Sequence, residues 1–253
     1  MNNELVAKVF KNEYDFLALF TKKEVTEDYM RFYDDQLQDM YDHNFIELYN
    51  DLTPETYAHI KEIKEQRGAK HIKIVAYKKE KVLSILGYEH SIILTMAADT
   101  IHPNPLKINN LEFKNLKESP ELINDFLNLE LKYYGDTYGH SFVARRMYRY
   151  FHTILESNNF NYFGCYINNK LVGYCYAFLS EGVIALDGLL VDEQYRHMNI
   201  ASNLVKHIQS YYQNCPIYLH AEEDDYPQHI YEQLGFKTLY KKHEYLKLDE
   251  QDE

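Results

Sequence analysis

The chain has 253 residues, enough for one large domain or two small ones, and its 45% hydrophobic and 26% charged residues support a real core. A formal net charge of -12 argues against nucleic acid as the partner, because phosphate binding needs a basic surface, and it is compatible with a cationic substrate as well as with simple solubility. Cys165, Cys175 and Cys215 are widely spaced and form no CxxC pair, so neither a disulfide framework nor a metal site is expected. With no secretory leader and no apolar run of ~18 residues, the expectation is a cytoplasmic protein without a membrane partner.

In the first hundred residues the spacing of Val25, Tyr29, Phe32, Tyr33 and Met40 predicts a helix. Thr53-Pro54-Glu55 opens another, which Gly68 closes. Ile72 to Tyr77 reads as a strand, and Ile85-Leu86-Gly87-Tyr88 leads into the apolar run from Ile92 to Met96. The segment Asp99-Thr100-Ile101-His102-Pro103-Asn104-Pro105 forbids regular helix and disfavours a central strand. A domain junction is expected there, dividing a smaller α/β domain over 1–106 from a larger one over 107–253.

Beyond the junction the elements alternate. Ile108 to Leu116 reads as a strand, and Ser119-Pro120-Glu121 as a helix start. A helix from about Ser141 carries Val143, Met147, Tyr150, Phe151 and Ile154 on one stripe, with Arg145, Arg146 and Arg149 among its exposed positions. Strands at Tyr162 to Ile167 and Leu171 to Leu179 flank the turn Asn168-Asn169-Lys170, and Val183 to Val191 is a third strand. A helix from Ile200 to about Tyr212 buries Leu204, Val205 and Ile208. A strand from Ile217 to Ala221, a short helix near Tyr231 that ends at Gly235, and strand material from Phe236 to Leu248 complete the order. The pattern is a three-layer α/β/α domain with a mixed central sheet. Leu86-Gly87-Tyr88 and Leu234-Gly235-Phe236 each follow a helix and precede a strand, which suggests an internal duplication.

The chemistry is concentrated in Leu189-Leu190-Val191-Asp192-Glu193-Gln194-Tyr195-Arg196-His197-Met198-Asn199-Ile200-Ala201: an apolar strand, a polar turn and a helix N-terminus. Such a helix start presents unpaired N–H groups and the positive end of the dipole, both suited to a pyrophosphate. The stretch resembles the acetyl-CoA motif R/Q-x-x-G-x-G/A of the GNAT N-acetyltransferases, with Arg196 and Ala201 at its ends. Asn199 replaces the central glycine, a mild departure because Asn tolerates left-handed backbone. Tyr231-Glu232-Gln233-Leu234-Gly235-Phe236 is similar to the Y-E-x-x-G-F of the same family, at the family's distance and with a strand between the two motifs.

The resemblance spans about Lys107 to Leu248 and implies acetyl-CoA as cosubstrate. It implies that the backbone of Leu189, Leu190 and Val191 pairs with the pantetheine arm, and that Arg196, His197, Met198, Asn199, Ile200, Ala201 and Ser202 hold the pyrophosphate. The reaction implied is direct acetyl transfer to a primary amine, of a small molecule or a peptide, in a ternary complex. Tyr231 matches the family's acid for the leaving thiolate. Asp187, a carboxylate in an otherwise apolar strand, is expected to be buried and either paired with an arginine of the helix after Ser141 or acting as base, with Gly188 allowing a bulge that re-aims it. His220 is the alternative base, since imidazole titrates near neutral pH. The run Glu222-Glu223-Asp224-Asp225 is either a solvated loop or an attractor for a cationic acceptor. Cys165 and Cys175 are assigned to packing. Two other readings remain open at this point: an acyl-CoA sensor without turnover, and a Fem-like aminoacyl transferase with tandem GNAT-like halves, against which the acidic balance and the intact CoA motif both speak.

Overall fold

The computed structural model describes residues 3–249 and divides into two compact units, each built from several stretches of chain. One contains residues 14–95, 221–228 and 238–249; the other contains residues 3–13, 96–220 and 229–237. The linear division at 106 follows the chain, whereas the compact units exchange segments across it.

In the first unit, strands β1 (Lys22–Val25), β2 (Tyr29–Tyr33), β3 (Phe45–Leu48), β4 (His71–Ala76), β11 (Lys237–Leu248) and β5 (Glu89–Ala98) lie in the order β1-β2-β3-β4-β11-β5. β3 and β4 run parallel, joined through helix α2 (Pro54–Arg67), and β11 pairs antiparallel with β4 from His243↔Ala76 to Leu248↔His71. Their core gathers Tyr29, Ile46, Ile60, Ile74, Leu83, Tyr88 and Tyr245. The helix expected over Val25 to Met40 is not formed: Val25 ends β1, Tyr29 to Tyr33 form β2 antiparallel to it, and residues 34–40 are turn and loop. The spacing of Val25, Tyr29, Phe32 and Tyr33 fits a helical stripe, but Tyr29, Met30 and Phe32 are buried in β2 and the strand burial wins. Asp34 then stops the strand by accepting from the N–H groups of Gln36 and Leu37. Helix α2 begins and ends as expected: the Thr53 side chain accepts from the Thr56 N–H, Pro54 is at the first position, and Gly68 closes it at φ 61°.

The second unit has the expected three layers. Its sheet runs β10 (Ile217–Glu222), β9 (Val183–Val191), β8 (Lys170–Ser180), β7 (Phe160–Ile167), β6 (Leu111–Asn115), antiparallel except for β9 and β10. Asn168 and Asn169, both at positive φ, form the β7–β8 hairpin turn. Helices α4 (Ile123–Tyr138) and α5 (His140–Glu156) cover one face, where Phe126 meets Tyr162 at 5.7 Å and Tyr150 meets Phe160 at 5.6 Å. Helix α6 (Ile200–Tyr211) covers the other, with Phe163 against Tyr211 at 5.1 Å and Phe113 stacked on His207 at 4.4 Å. Arg146 departs from the expected exposed position. It forms an ion pair with buried Glu130, whose carboxylate needs a cation once it leaves water.

Helix α1 (Asn3–Leu17) carries no sequence signal, because two of its three buried residues, Asn12 and Glu13, are polar. Asn12 donates to the carbonyls of Ser180 and Val183 and accepts from the Tyr218 hydroxyl. The segment from Asp99 to Pro105, expected as a linker, is fastened along α6. Gln209 accepts from the Ile101 N–H and donates to the Asp99 carbonyl, while Asn203 donates to the carbonyl of Asn104.

β8 and β9 lose register between Tyr174↔Leu190 and Tyr176↔Asp187, so β9 carries one extra residue. Gly188 sits in this bulge at φ 62°, and a Cβ there would lie 2.8 Å from Cε1 of Tyr176. Gly188→Ala is therefore expected to destabilise the fold by at least about 1–2 kcal/mol from the left-handed backbone alone, measured by chemical denaturation. An unchanged midpoint would mean that the bulge relaxes without cost.

Candidate functional site

β9 and β10 are paired only at Ile217↔Ile184 and Tyr218↔Ala185. Beyond Tyr218 no further pairing joins them among the described residues, so the two parallel strands part over Asp187 to Val191. A backbone edge opened in this way accepts an extended ligand as an added strand. It lies along Leu189, Leu190 and Val191, the residues that the resemblance leads one to expect against a pantetheine arm. The opening follows the bulge: β9 spends its extra residue at Gly188, which turns the rest of the strand away from its former line.

The strand feeds a turn and then α6. Asp192 is buried and accepts from the Gln194 N–H at 3.2 Å and from Lys132 of α4 at 2.9 Å. Burial opposes its charge, but these hydrogen bonds and the Lys132 charge outweigh burial and hold its pKa below the ordinary value. The Tyr133 hydroxyl accepts from the Glu193 N–H, and Arg196 donates through Nε to the Val191 carbonyl. His197 and Asn199 both have positive φ, at 63° and 62°. Asn199 thus adopts the conformation that the family's glycine would supply, and its side chain donates to the Pro105 carbonyl. It gives no side-chain cap to α6, and the first turn contains no acidic residue. The N–H groups of Ile200, Ala201 and Ser202 are therefore available to an anion at the positive end of the helix. The Lys107 N–H donates to the Met198 carbonyl, fixing the outer side of the turn.

Asp187 requires a correction: it is exposed, not buried. It is held by the Tyr176 hydroxyl and by the Gly188 N–H at 2.6 Å, rather than by an arginine of α5. Burial and then the Asp187 charge raise the Tyr176 pKa well above its ordinary value, so Tyr176 remains a hydrogen-bond donor. Because Tyr218 faces Ala185, two further residues on each strand bring His220 and Asp187 to the same sheet face, just past the point where the strands part. His220 is exposed, with Nε2 3.2 Å from Oε1 of Glu13 on α1. Tyr231 lies on α7 (Tyr226–Gln233), half-buried, its ring 5.8 Å from that of Phe236.

The acidic run divides: Glu223 pairs with Lys241 and its N–H donates to the Ile92 carbonyl, while Asp225 accepts from the Tyr226 N–H. Cys165 and Cys175 are buried, and burial pushes both thiols well above their ordinary pKa, consistent with packing. No group of three His, Cys, Asp or Glu among the described residues is arranged to hold a metal, and no helix is long and apolar enough to cross a membrane. Sequence reasoning missed Tyr176, Lys132 and Glu13. Tyr176 sits opposite Asp187 across the hairpin and was accessible through register; the other two are brought in from distant helices.

Asp192→Asn is expected to lower stability at neutral pH by about 1 kcal/mol, the scale of a charge-assisted hydrogen bond to a partly exposed lysine. Because the folded-state pKa of Asp192 is depressed, this contribution is complete above the ordinary carboxyl value of 3.8 and is lost as the pH falls through the lower folded value. Denaturation midpoints of the two proteins should therefore converge in strong acid. A difference that is independent of pH would place the effect elsewhere.

Residues 123–236 match the acetyltransferase (GNAT) family. No relative is found among curated protein sequences. Among solved structures, the chain is similar to a functionally unknown conserved protein from Staphylococcus epidermidis, with 15% identity and a TM-score of 0.77 over 94% of this chain and 98% of that one. It is also similar to a GCN5-related N-acetyltransferase from Kribbella flavida, with 12% identity and a TM-score of 0.65 over 94% of each chain. A third similarity is to a tandem GNAT protein from the clavulanic acid biosynthesis pathway, at 11% identity and a TM-score of 0.55, covering 83% of this chain and 76% of that one. At these identities the likeness is one of fold.

Proposed function

We propose that this chain, whose residues 123–236 form a domain of the acetyltransferase (GNAT) family, transfers an acetyl group from acetyl-CoA to a primary amine by direct attack in a ternary complex. The observation that carries the reading is the parting of β9 from β10 immediately before a helix whose N-terminus has neither a side-chain cap nor an acid in its first turn. Leu189, Leu190 and Val191 offer backbone to the pantetheine arm. Arg196 to Ser202 hold the pyrophosphate through N–H groups and the helix dipole. The acetyl carbonyl then lies near the bulge, on the side of Asp187 and His220. One of these takes the amine proton, and Tyr231 protonates the departing thiolate. A cytoplasmic setting and a cationic amine fit the reduced cysteines and the acidic balance of the chain.

We propose further that residues 1–106 are a second, degenerate unit of the same kind. β3, α2, β4 and then helix α3 (Lys81–Ile85) with β5 repeat the order β9, α6, β10, α7, β11, with β3 and β4 parallel like β9 and β10. In both series the N–H of the aromatic residue donates five residues back, Tyr88 to Leu83 and Phe236 to Tyr231. Leu83 thus stands where the other series has its tyrosine. The α2 N-terminus is closed to phosphate by the Thr53 cap, Pro54 and Glu55.

Acetyl-CoA is therefore expected to bind at one site per chain by isothermal titration, and to stabilise by about 2.7 kcal/mol at 100 times its dissociation constant. Arg196→Glu combined with Ala201→Asp should abolish both signals. Two sites per chain, or an unaffected double variant, would overturn the assignment. An acceptor screen over polyamines, aminoglycosides, amino acids and peptides, with free thiol as readout, tests turnover, and binding with no amine-stimulated thiol release would leave a sensor.

Tyr231→Phe is expected to lower kcat by ten- to a hundred-fold while the acetyl-CoA dissociation constant stays within a few-fold, because the hydroxyl meets the sulfur only in the transition state. An unchanged kcat at saturation would return Tyr231 to packing.

A further inference from the structure

In the first unit a cleft of about 430 Å³ opens between the last turn of α2 and the strands β2, β3 and β4. Its chemistry follows from strand alternation. Ile46 and Ile72 share a core with Ile60 of α2, so the α2 side of β2 is the side of Arg31, which stands opposite Ile46, and of Tyr33 two residues on. The last turn of α2 adds Lys64 and Arg67, where the helix dipole favours cations. The Tyr33 ring draws two of the three charges together: the guanidinium carbons of Arg31 and Arg67 each lie 4.5 Å from its centroid. No Asp or Glu lines the cleft, although acids outnumber Lys and Arg by 39 to 27 in the whole chain.

Each cation has a carboxylate partner: Glu24 at 3.0 Å from Arg31, Asp35 at 2.6 Å from Arg67, and Asp249 beside Lys64. The members of these pairs are unequally placed. The cationic side chains are 12% to 24% exposed, the carboxylates 46% to 52%. Water and salt screen the acids far more than the cations, so the field inside the cleft stays positive. Asp35 is also shared with Lys22 at 2.8 Å. Burial, and after it the Arg67 charge, lowers the pKa of Arg31, as expected for two guanidiniums with too little negative charge near them. Arg31 reaches its carboxylate through Nη1 and Arg67 through Nη2, which leaves further N–H donors on each planar fork.

We propose that this cleft is a second ligand site, taking a small dianionic oxyanion such as a phosphate monoester between Arg31 and Arg67, with Lys64 at its edge. A phosphate group carries close to two charges and three acceptor oxygens, enough for two forks at once, whereas a monocarboxylate satisfies one. The α2 dipole opposes an anion at this end of the helix, and Lys64 and Arg67 offset it. The site does not depend on the acetyl-transfer reading.

The test is isothermal titration of the full chain with inorganic phosphate, sulfate and acetate at low ionic strength. It uses the Arg196→Glu, Ala201→Asp background, in which the α6 N-terminus is closed to anions. Phosphate and sulfate should bind at one site with a dissociation constant of about 1 mM or tighter, and acetate about ten-fold more weakly or worse. Arg31→Gln and Arg67→Gln should each weaken phosphate by about ten-fold or more, since each removes a charge-assisted hydrogen bond. Arg67→Lys, which keeps the charge and loses the fork, should fall between, and it decides the matter if a glutamine variant does not fold. Lys8→Gln, the same change of charge at an exposed position on α1, should leave the affinity as it was. No saturable binding, binding that survives the Arg31 and Arg67 substitutions, or equal affinity for acetate would overturn the proposal.

Discussion

Everything at the site depends on a single residue too many in β9. A strand that pairs on both sides must match two registers at once, and inserting one residue breaks that match for the remainder of its length. Here the insertion comes at Gly188, two residues before the strand ends its pairing with β8 at Leu190 and Val191. β9 keeps β8 as a partner and gives up β10, so hydrogen-bonding edge is exposed inside a sheet rather than at its rim. Unpaired backbone at such a position is costly unless water or a ligand satisfies it. The bulge therefore both makes the slot and sets the free-energy gain for whatever fills it.

Around the slot the charges are arranged in pairs whose members come from different elements. Lys132 of α4 meets Asp192 beyond β9, Arg146 of α5 meets Glu130 of α4, and Glu13 of α1 meets His220 of β10. The deeper pairs hold geometry rather than add stability, since desolvation consumes most of the Coulombic gain. With no Trp in the chain, tyrosines fill the space beneath them: the Tyr176 ring lies 5.7 Å from that of Tyr150 and 5.1 Å from that of Tyr162, and burial raises the pKa of both Tyr162 and Tyr176. The Tyr176 hydroxyl, kept protonated in this way, donates to Asp187.

Local rules made the second unit readable. β9 has the bounds that its apolar run implies, the Asn168-Asn169 turn is where left-handed backbone is needed, and the Asn199 exception proves conformationally equivalent to a glycine. The GNAT resemblance therefore carried through to the fold. Reading failed where burial is decided by partners far along the chain. Val25 to Met40 contains the residues of an amphipathic helix, yet pairing with β3 makes Tyr29 to Tyr33 a strand. Asp187 looks buried from its apolar neighbours, but the bulge leaves its side chain in solvent. Glu13 and Asn12 look like ordinary surface residues of a short polar helix until the strands they touch are known. Neither periodicity nor motif spacing contains that information.

The position of β11 has a bearing on how the chain matures during synthesis. β4 finds its antiparallel partner only in residues 243–248, and Tyr245 of that partner belongs to the same core as Ile74 and Tyr88. These residues are synthesised about 170 residues after β4. Until they emerge, the edge of β4 is an open row of peptide groups flanked by Ile72, Ile74 and Val75, the kind of edge that pairs with strangers. The nascent unit must wait with that edge bare or shielded by a chaperone, and a chain cut before residue 243 would keep the segment that matches the acetyltransferase family while being unable to close the sheet that β1 to β4 began.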